Sequence, residues 1–247
     1  MKYFWTALAF LTIIPTPKKY SSSTEYLGES SIWFPLIGLL IGGLTALAFS
    51  GFQLFLPTFL GSALTVWVWI VLTGGLHLDG LADCCDGMLN ASSAERRLEI
   101  MKDPRIGTFG AIGLVFVILL KVAAVDALEI NLAWIAFPMA SYLSRWLLLW
   151  AGFQKMARSD GLGASFQTGV RPWHLILTGI FPLVFVLITG VPGFVAAAFA
   201  CLPAFAIFVL ARVRLGGVTG DVLGCVVELS EVAVLIAFTL PVQDQLY

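Results

Sequence analysis

The sequence predicts an all-α, polytopic integral membrane bundle of seven transmembrane helices, preceded by a short N-terminal helix that is interfacial or re-entrant. Three observations predict it. The 247 residues are 59% apolar and only 12% charged, with a mean hydropathy of +0.94, whereas soluble domains carry about a quarter charged residues. Seven stretches approach the roughly 20 apolar residues that cross a hydrocarbon core about 30 Å thick. Lysine and arginine fall on one side of the bundle those stretches define. No hydrophilic segment is long enough for a second domain, so residues 1–247 read as one membrane-embedded domain.

The first element is "YFWTALAFLTII" (3–14), followed by Pro15 and Pro17 where a signal peptide would need small residues for cleavage. It is too short to span comfortably and reads as an uncleaved surface or re-entrant helix. The spans follow at 32–50, 58–75, 108–128, 132–151, 173–190, 194–211 and 226–241. Pro57, Asn131 and the Gly190-Val191-Pro192-Gly193 turn separate several of them. The second, fifth and sixth are short or joined by tight hairpins. Cys84, Cys85, Cys201 and Cys225 have no paired spacing and read as reduced packing residues.

With these spans, one side receives Lys18, Lys19, Arg96, Arg97, Lys102, Arg105, Lys155, Arg158, Arg171, Arg212 and Arg214. The opposite loops (51–57, 129–131, 191–193 and the tail after 241) receive none. Positive residues gather in short cytoplasmic loops, so the basic side is expected to be cytoplasmic.

On that side lies "GGLHLDGLADCCDG" (74–87), with Asp79, Asp83 and Asp86 at i, i+4 and i+7. A helix puts all three on one face, where like charges repel unless a cation lies between them. Mg²⁺, held by a few carboxylates and substrate phosphates, answers that need. A merely solvated helix face is the bland alternative, but such faces usually mix signs. "KDPRIGTFG" (102–110) supplies Lys102 and Arg105 before a glycine-flanked helix start at Gly107 and Gly110, which suits a phosphate. Ordinary positive flanking of a span competes with that reading.

Two further loops on this side are equipped for chemistry. "ARSDGLGASF" (157–166) sets Arg158 beside a Gly161-Leu-Gly163 turn, and "GGVTGDVLGCVVE" (216–228) sets Asp221 and Glu228 seven residues apart. Arg145 falls inside the fourth span, where an arginine marks a functional or paired site. Lys121 is expected to snorkel outward toward Asp126 and Glu129. His77 reads equally as a proton shuttle or an interfacial residue, and His174 as interfacial.

Together "GGLHLDGLADCCDG", "KDPRIGTFG", "ARSDGLGASF" and "GGVTGDVLG" resemble the cobalamin synthase family, the adenosylcobinamide-GDP ribazoletransferases. "FLTIIPTP" (10–17) and "FPLIGLLIG" (34–42) resemble its N-terminal blocks, so the likeness runs in order from near residue 10 to about 231. The resemblance implies a Mg²⁺-dependent membrane enzyme. Its substrates would be adenosylcobinamide-GDP and α-ribazole or its 5′-phosphate, and its products adenosylcobalamin or its 5′-phosphate and GMP. It further implies that Asp79, Asp83 and Asp86 hold Mg²⁺, with Asp221 completing the site. One of these aspartates, or Asp103, would take the ribose proton. Lys102, Arg105, Arg158 and Arg145, with the Gly107 helix start, would contact phosphate. The lipid bilayer is a partner, no nucleic acid is expected, and a homo-oligomer is left open.

Three rivals fit less well. A CDP-alcohol phosphotransferase needs D-G-x-x-A-R, but Cys84 stands where the arginine belongs. A polyprenyl transferase needs D-D-x-x-D, which is absent. A transporter would carry its charge near the midplane rather than in one side's loops.

Overall fold

The computed structural model describes residues 1–21, 26–159 and 161–241, and among these it contains helices and no strand. Helix α1 (Lys2–Leu11) is ten residues long, about 15 Å at 1.5 Å per residue, which is half a bilayer core. Two single turns follow, α2 (Lys18–Ser21) and α3 (Leu27–Ser30), before α4 (Phe34–Gln53).

Helix α5 (Thr58–Leu72) ends earlier than the span expected over 58–75. Gly74 and Gly75, at φ of 62° and 69°, then turn the chain so that α6 (Leu76–Met88) leaves at 93° to α5. Only glycine enters that left-handed region cheaply. Next come α7 (Ala94–Ile100), capped by the Ser93 hydroxyl, and α8 (Thr108–Asp126). They are followed by α9 (Ala133–Ala151), α10 (Leu162–Gly169), α11 (Pro172–Thr189), α12 (Val191–Leu215) and α13 (Gly220–Phe238).

Five helical segments are long and apolar enough to cross a membrane, or six if the bent α5–α6 pair counts as one crossing, against the seven expected. The 58–75 stretch qualifies only together with α6, across the bend. The 226–241 stretch lies within α13, which begins at Gly220 and carries Asp221, Glu228 and Glu231. That helix is shielded rather than apolar, packing against α12, α6, α9 and α8 with most of its residues buried. Helix α9 is also central, with 78% of its apolar window buried, whereas α11 has only 17% buried and presents Ile176, Leu187 and Ile188 outward. Gly38 and Gly42 lie flush on the backbone of α9 at Ser141 and Phe137, the small-residue contact that lets membrane helices approach closely.

Charge inside the bundle is paired. Lys121 Nζ donates to Glu228 Oε2 at 2.7 Å and Glu231 Oε2 at 2.6 Å, and it lies 4.7 Å from the Trp69 ring centre. Arg145 Nη1 donates to Glu231 Oε1 and to Ser144 Oγ. Lys121 therefore does not snorkel toward Asp126 and Glu129: it is 3% exposed, and the buried carboxylates of α13 are closer partners than water. His174 is likewise buried rather than interfacial, with its Nδ1 3.1 Å from Ser31 Oγ.

Candidate active site

Helices α6 and α13 cross on glycines. A side chain at Gly80 would meet the Asp221 backbone oxygen at 2.7 Å, and one at Gly224 would meet the His77 backbone oxygen at 3.0 Å. This contact brings the acidic face of α6 to the first turn of α13. Thr219 caps that turn, accepting from Val222 N at 3.3 Å, and its hydroxyl donates to Asp221 Oδ2 at 3.2 Å.

A third segment joins them. Val218 N donates to Lys155 O at 2.8 Å and Ala157 N donates to Val218 O at 2.9 Å, so the loop carrying Arg158 is fastened to the loop ahead of α13. The three segments enclose a cavity of about 250 Å³ lined by Asp79, His77, Arg158, Asp221, Gly161 and Gly163, among others.

The electrostatics follow from that convergence. Neither α6 nor α13 belongs to the five long apolar crossings. Burial, then the charges of Asp221, Asp79 and Asp86, push the Asp83 carboxyl up to about 7, with Arg158 opposing. Burial also raises Asp221, against the Thr219 hydrogen bond and Arg158. Four carboxylates and one arginine thus share a neighbourhood with excess negative charge. Arg158 is held by donation from Nη2 to Leu98 O, while its buried Nε has no protein partner.

Other expected residues are placed differently. Asp86 turns away from the cavity and accepts from Gly107 N at 2.7 Å and Gly110 N at 2.9 Å. The start of α8 therefore receives an anion, but that anion is the chain's own carboxylate rather than a substrate phosphate. Asp103 and Arg105 pair with each other, with Arg105 Nε and Nη2 donating at 2.9 and 2.7 Å. The Arg105 side chain is 85% exposed, and neither residue lines the cavity. Those bonds hold the Asp103 carboxyl down to about 2, which makes it a poor proton acceptor near neutral pH. Lys102 is exposed outside the cavity. Arg145 is fully buried, committed to Glu231, and outside the cavity lining.

Sequence reasoning missed the aromatic side of the cavity. Phe10, Phe34 and Phe166 line it from α1, α4 and α10. The signal was available, since each lies at the edge of a segment already singled out: "FLTIIPTP", "FPLIGLLIG" and "ARSDGLGASF".

Comparison with known proteins agrees with the resemblance. Over 245 residues the chain is 37% identical to the adenosylcobinamide-GDP ribazoletransferase of Escherichia coli (strain K12), covering 96% of this chain and 98% of that protein. Proteins of the same name from Escherichia coli O157:H7 and Shigella boydii serotype 4 (strain Sb227) match to the same identity and extent. No solved structure matches. The family model described as cobalamin-5-phosphate synthase matches residues 3–239, and the chain belongs to that family.

Proposed function

We propose that this chain is an adenosylcobinamide-GDP ribazoletransferase whose active site is the cavity where α6, α13 and the Arg158 loop meet. The ribose 3′-hydroxyl of α-ribazole, or of its 5′-phosphate, attacks the cobinamide-linked phosphorus of adenosylcobinamide-GDP. A phosphorus–oxygen bond to the ribose forms and the bond to the bridging oxygen of GMP breaks. The hydroxyl proton passes to a carboxylate of the site. The carrying observation is that Asp79, Asp83, Asp221 and Arg158 come together in a chain whose 37%-identical relatives bear this name.

The donor set fits Mg²⁺, being hard carboxylate oxygens in excess over Arg158. Among the described residues no three ligating side chains form a ready-made cage. That suits an ion which keeps its waters and takes further ligands from substrate phosphates. One or two of Asp79, Asp83 and Asp221 would hold it, with waters and substrate phosphates supplying the remaining ligands, and Asp86 is left out because both its oxygens accept helix N–H groups. When bound, the ion neutralises charge on the pyrophosphate and the leaving GMP. Arg158 grips phosphate oxygens with a planar fork. A carboxylate of the cluster accepts the ribose proton, and the cavity walls fix the nucleophile in line, which is most of what phosphoryl-type transfer requires.

In this reading residues 76–107, 152–172 and 212–225 face the cytoplasm from the cell inner membrane. Cysteines placed there singly stay unlabelled by impermeant reagent outside intact cells, and labelling at any of them overturns the orientation. The activity itself is tested by GMP release from detergent-purified protein. Release is expected only when both adenosylcobinamide-GDP and α-ribazole are supplied, and hydrolysis of the corrinoid substrate without ribazole contradicts a transferase.

A further inference from the structure

The cavity lining is of two unlike kinds. One is charged and polar, with Asp79, Asp221, His77 and Arg158. The other is apolar, and in it three phenylalanines from distant parts of the chain form a ladder. Phe10 stacks on Phe34 with centroids 5.8 Å apart and planes 20° from parallel, and Phe34 stacks on Phe166 at 5.8 Å and 18°. Leu27, Leu148, Met156 and Val218 add further apolar lining, and Thr219 is the remaining polar side chain.

The charged lining contains unmet hydrogen-bonding capacity. His77 is 3% exposed and its Nδ1 has no partner, and Arg158 Nε is buried without one. Buried polar atoms are normally satisfied, so an orphan in a cavity wall marks where another molecule's polar atom belongs. Aromatic rings sharing a cavity with such atoms match a ligand that is flat and apolar at one end and polar at the other.

Size and chemistry then choose between the two substrates. At about 250 Å³ the cavity is smaller than the roughly 300–1,000 Å³ of sites that enclose a drug-sized ligand, so a corrin ring with its nucleotide does not fit inside. A guanine buried on the phenylalanine lining would leave its donor and acceptor edge unpaired, at a cost of about 1–3 kcal/mol per group. A ribose-linked benzimidazole carries a single ring-nitrogen acceptor in place of that edge. Resting on the transferase reading above, we propose that this cavity is the seat of the acceptor nucleoside. Its base lies against the Phe10–Phe34–Phe166 ladder and its ribose hydroxyls meet His77 Nδ1 and the Asp79–Asp221 side, while the corrinoid nucleotide approaches from outside. The phenylalanines are then specificity-determining residues for the lower base.

Steady-state kinetics with each substrate varied in turn tests this. Phe166→Leu keeps the volume roughly but removes the ring face. It should raise the KM for α-ribazole by roughly tenfold, the scale of one lost base–aromatic stack, and leave the KM for adenosylcobinamide-GDP within about twofold. Should that variant fail to fold, inhibition of the wild type still decides. Free benzimidazole should compete with α-ribazole, and guanosine should not. A Phe166→Leu effect on the corrinoid KM instead, no effect in a folded variant, or competition between guanosine and α-ribazole overturns the assignment. A wild type that releases no GMP from the two substrates sinks the transferase reading itself. Normal wild-type turnover with any of those reversed results sinks only the seat of the nucleoside.

Discussion

Asp86 accepts two hydrogen bonds from the first turn of α8, at 2.7 Å from Gly107 N and 2.9 Å from Gly110 N. A side chain at either glycine would collide with that carboxylate. The third aspartate of the acidic face is thus a helix cap reaching across 21 residues, while its neighbours Asp79 and Asp83 face a different task. Loss of a cap costs about 0.5–2 kcal/mol, with a further fraction for the charge at the positive helix end. Asp86→Ala is expected to lower the thermal midpoint of the detergent-purified protein while, at pH 8 where Asp83 is already mostly ionised, the Mg²⁺ concentration for half-maximal activity stays put. A selective loss of Mg²⁺ response with unchanged melting would return Asp86 to the metal site.

The two arginines near the site should behave differently. Arg105 is exposed and bonded to Asp103, and such solvent-screened pairs contribute little. Arg105→Lys is therefore expected to stay within about threefold of wild-type turnover. Arg158 lines the cavity among the carboxylates, where an ammonium cannot reproduce the fork. Arg158→Lys should lose roughly tenfold or more in the rate of GMP release. The reverse order would move the phosphate clamp to the 102–110 loop.

The interior ion network predicts a stability effect rather than a kinetic one. Glu231 serves both Lys121 and Arg145, so Glu231→Gln leaves two buried cations with Glu228 as their remaining carboxylate. Breaking such a pair costs about 3–5 kcal/mol, seen as lost monodisperse protein or a much lower melting point. Adding Lys121→Met should recover part of the loss, because the two sites are coupled. Additive losses would show that the network does not act as a unit.

Asp83 predicts the pH behaviour. Its carboxyl is pushed up to about 7 by burial and by its acidic neighbours. The protonated form prevails below that value and the metal-ligating form above it. A cation must displace that proton, so lowering the pH from 8 toward 6 should raise the Mg²⁺ needed for half-maximal activity, by about tenfold per unit once below 7. Asp83→Asn should cut turnover by at least about a hundredfold. A Mg²⁺ requirement flat across this range in the wild type would remove Asp83 from the ligand set.

The part of the acidic cluster that was legible has local logic: Asp79 and Asp83 sit one helical turn apart, and Asp221 stands in a glycine-rich loop on the same side. What escaped depends on tertiary contact. Lys121 seemed bound for Asp126 because that carboxylate is near in sequence, whereas Glu228 and Glu231 arrive from more than 100 residues away on one face of α13. Hydropathy windows could not register the 93° turn after α5, although Gly74-Gly75 was its chemical sign. Composition alone also leaves α13 out of the apolar helices, because it cannot tell charges paired inside a bundle from charges exposed to lipid.

The central claim is that the α6–α13 cavity performs the transfer, and one assay tests it most directly. Wild-type protein and Asp221→Asn, purified in detergent with Mg²⁺, are each given adenosylcobinamide-GDP and α-ribazole, and GMP and the completed corrinoid are quantified together. The account predicts one GMP per corrinoid formed by the wild type. For Asp221→Asn it predicts a rate lower by at least about a hundredfold, with elution and melting close to wild type because Asp221 is only half-buried. Wild-type turnover by a folded Asp221→Asn protein would contradict it.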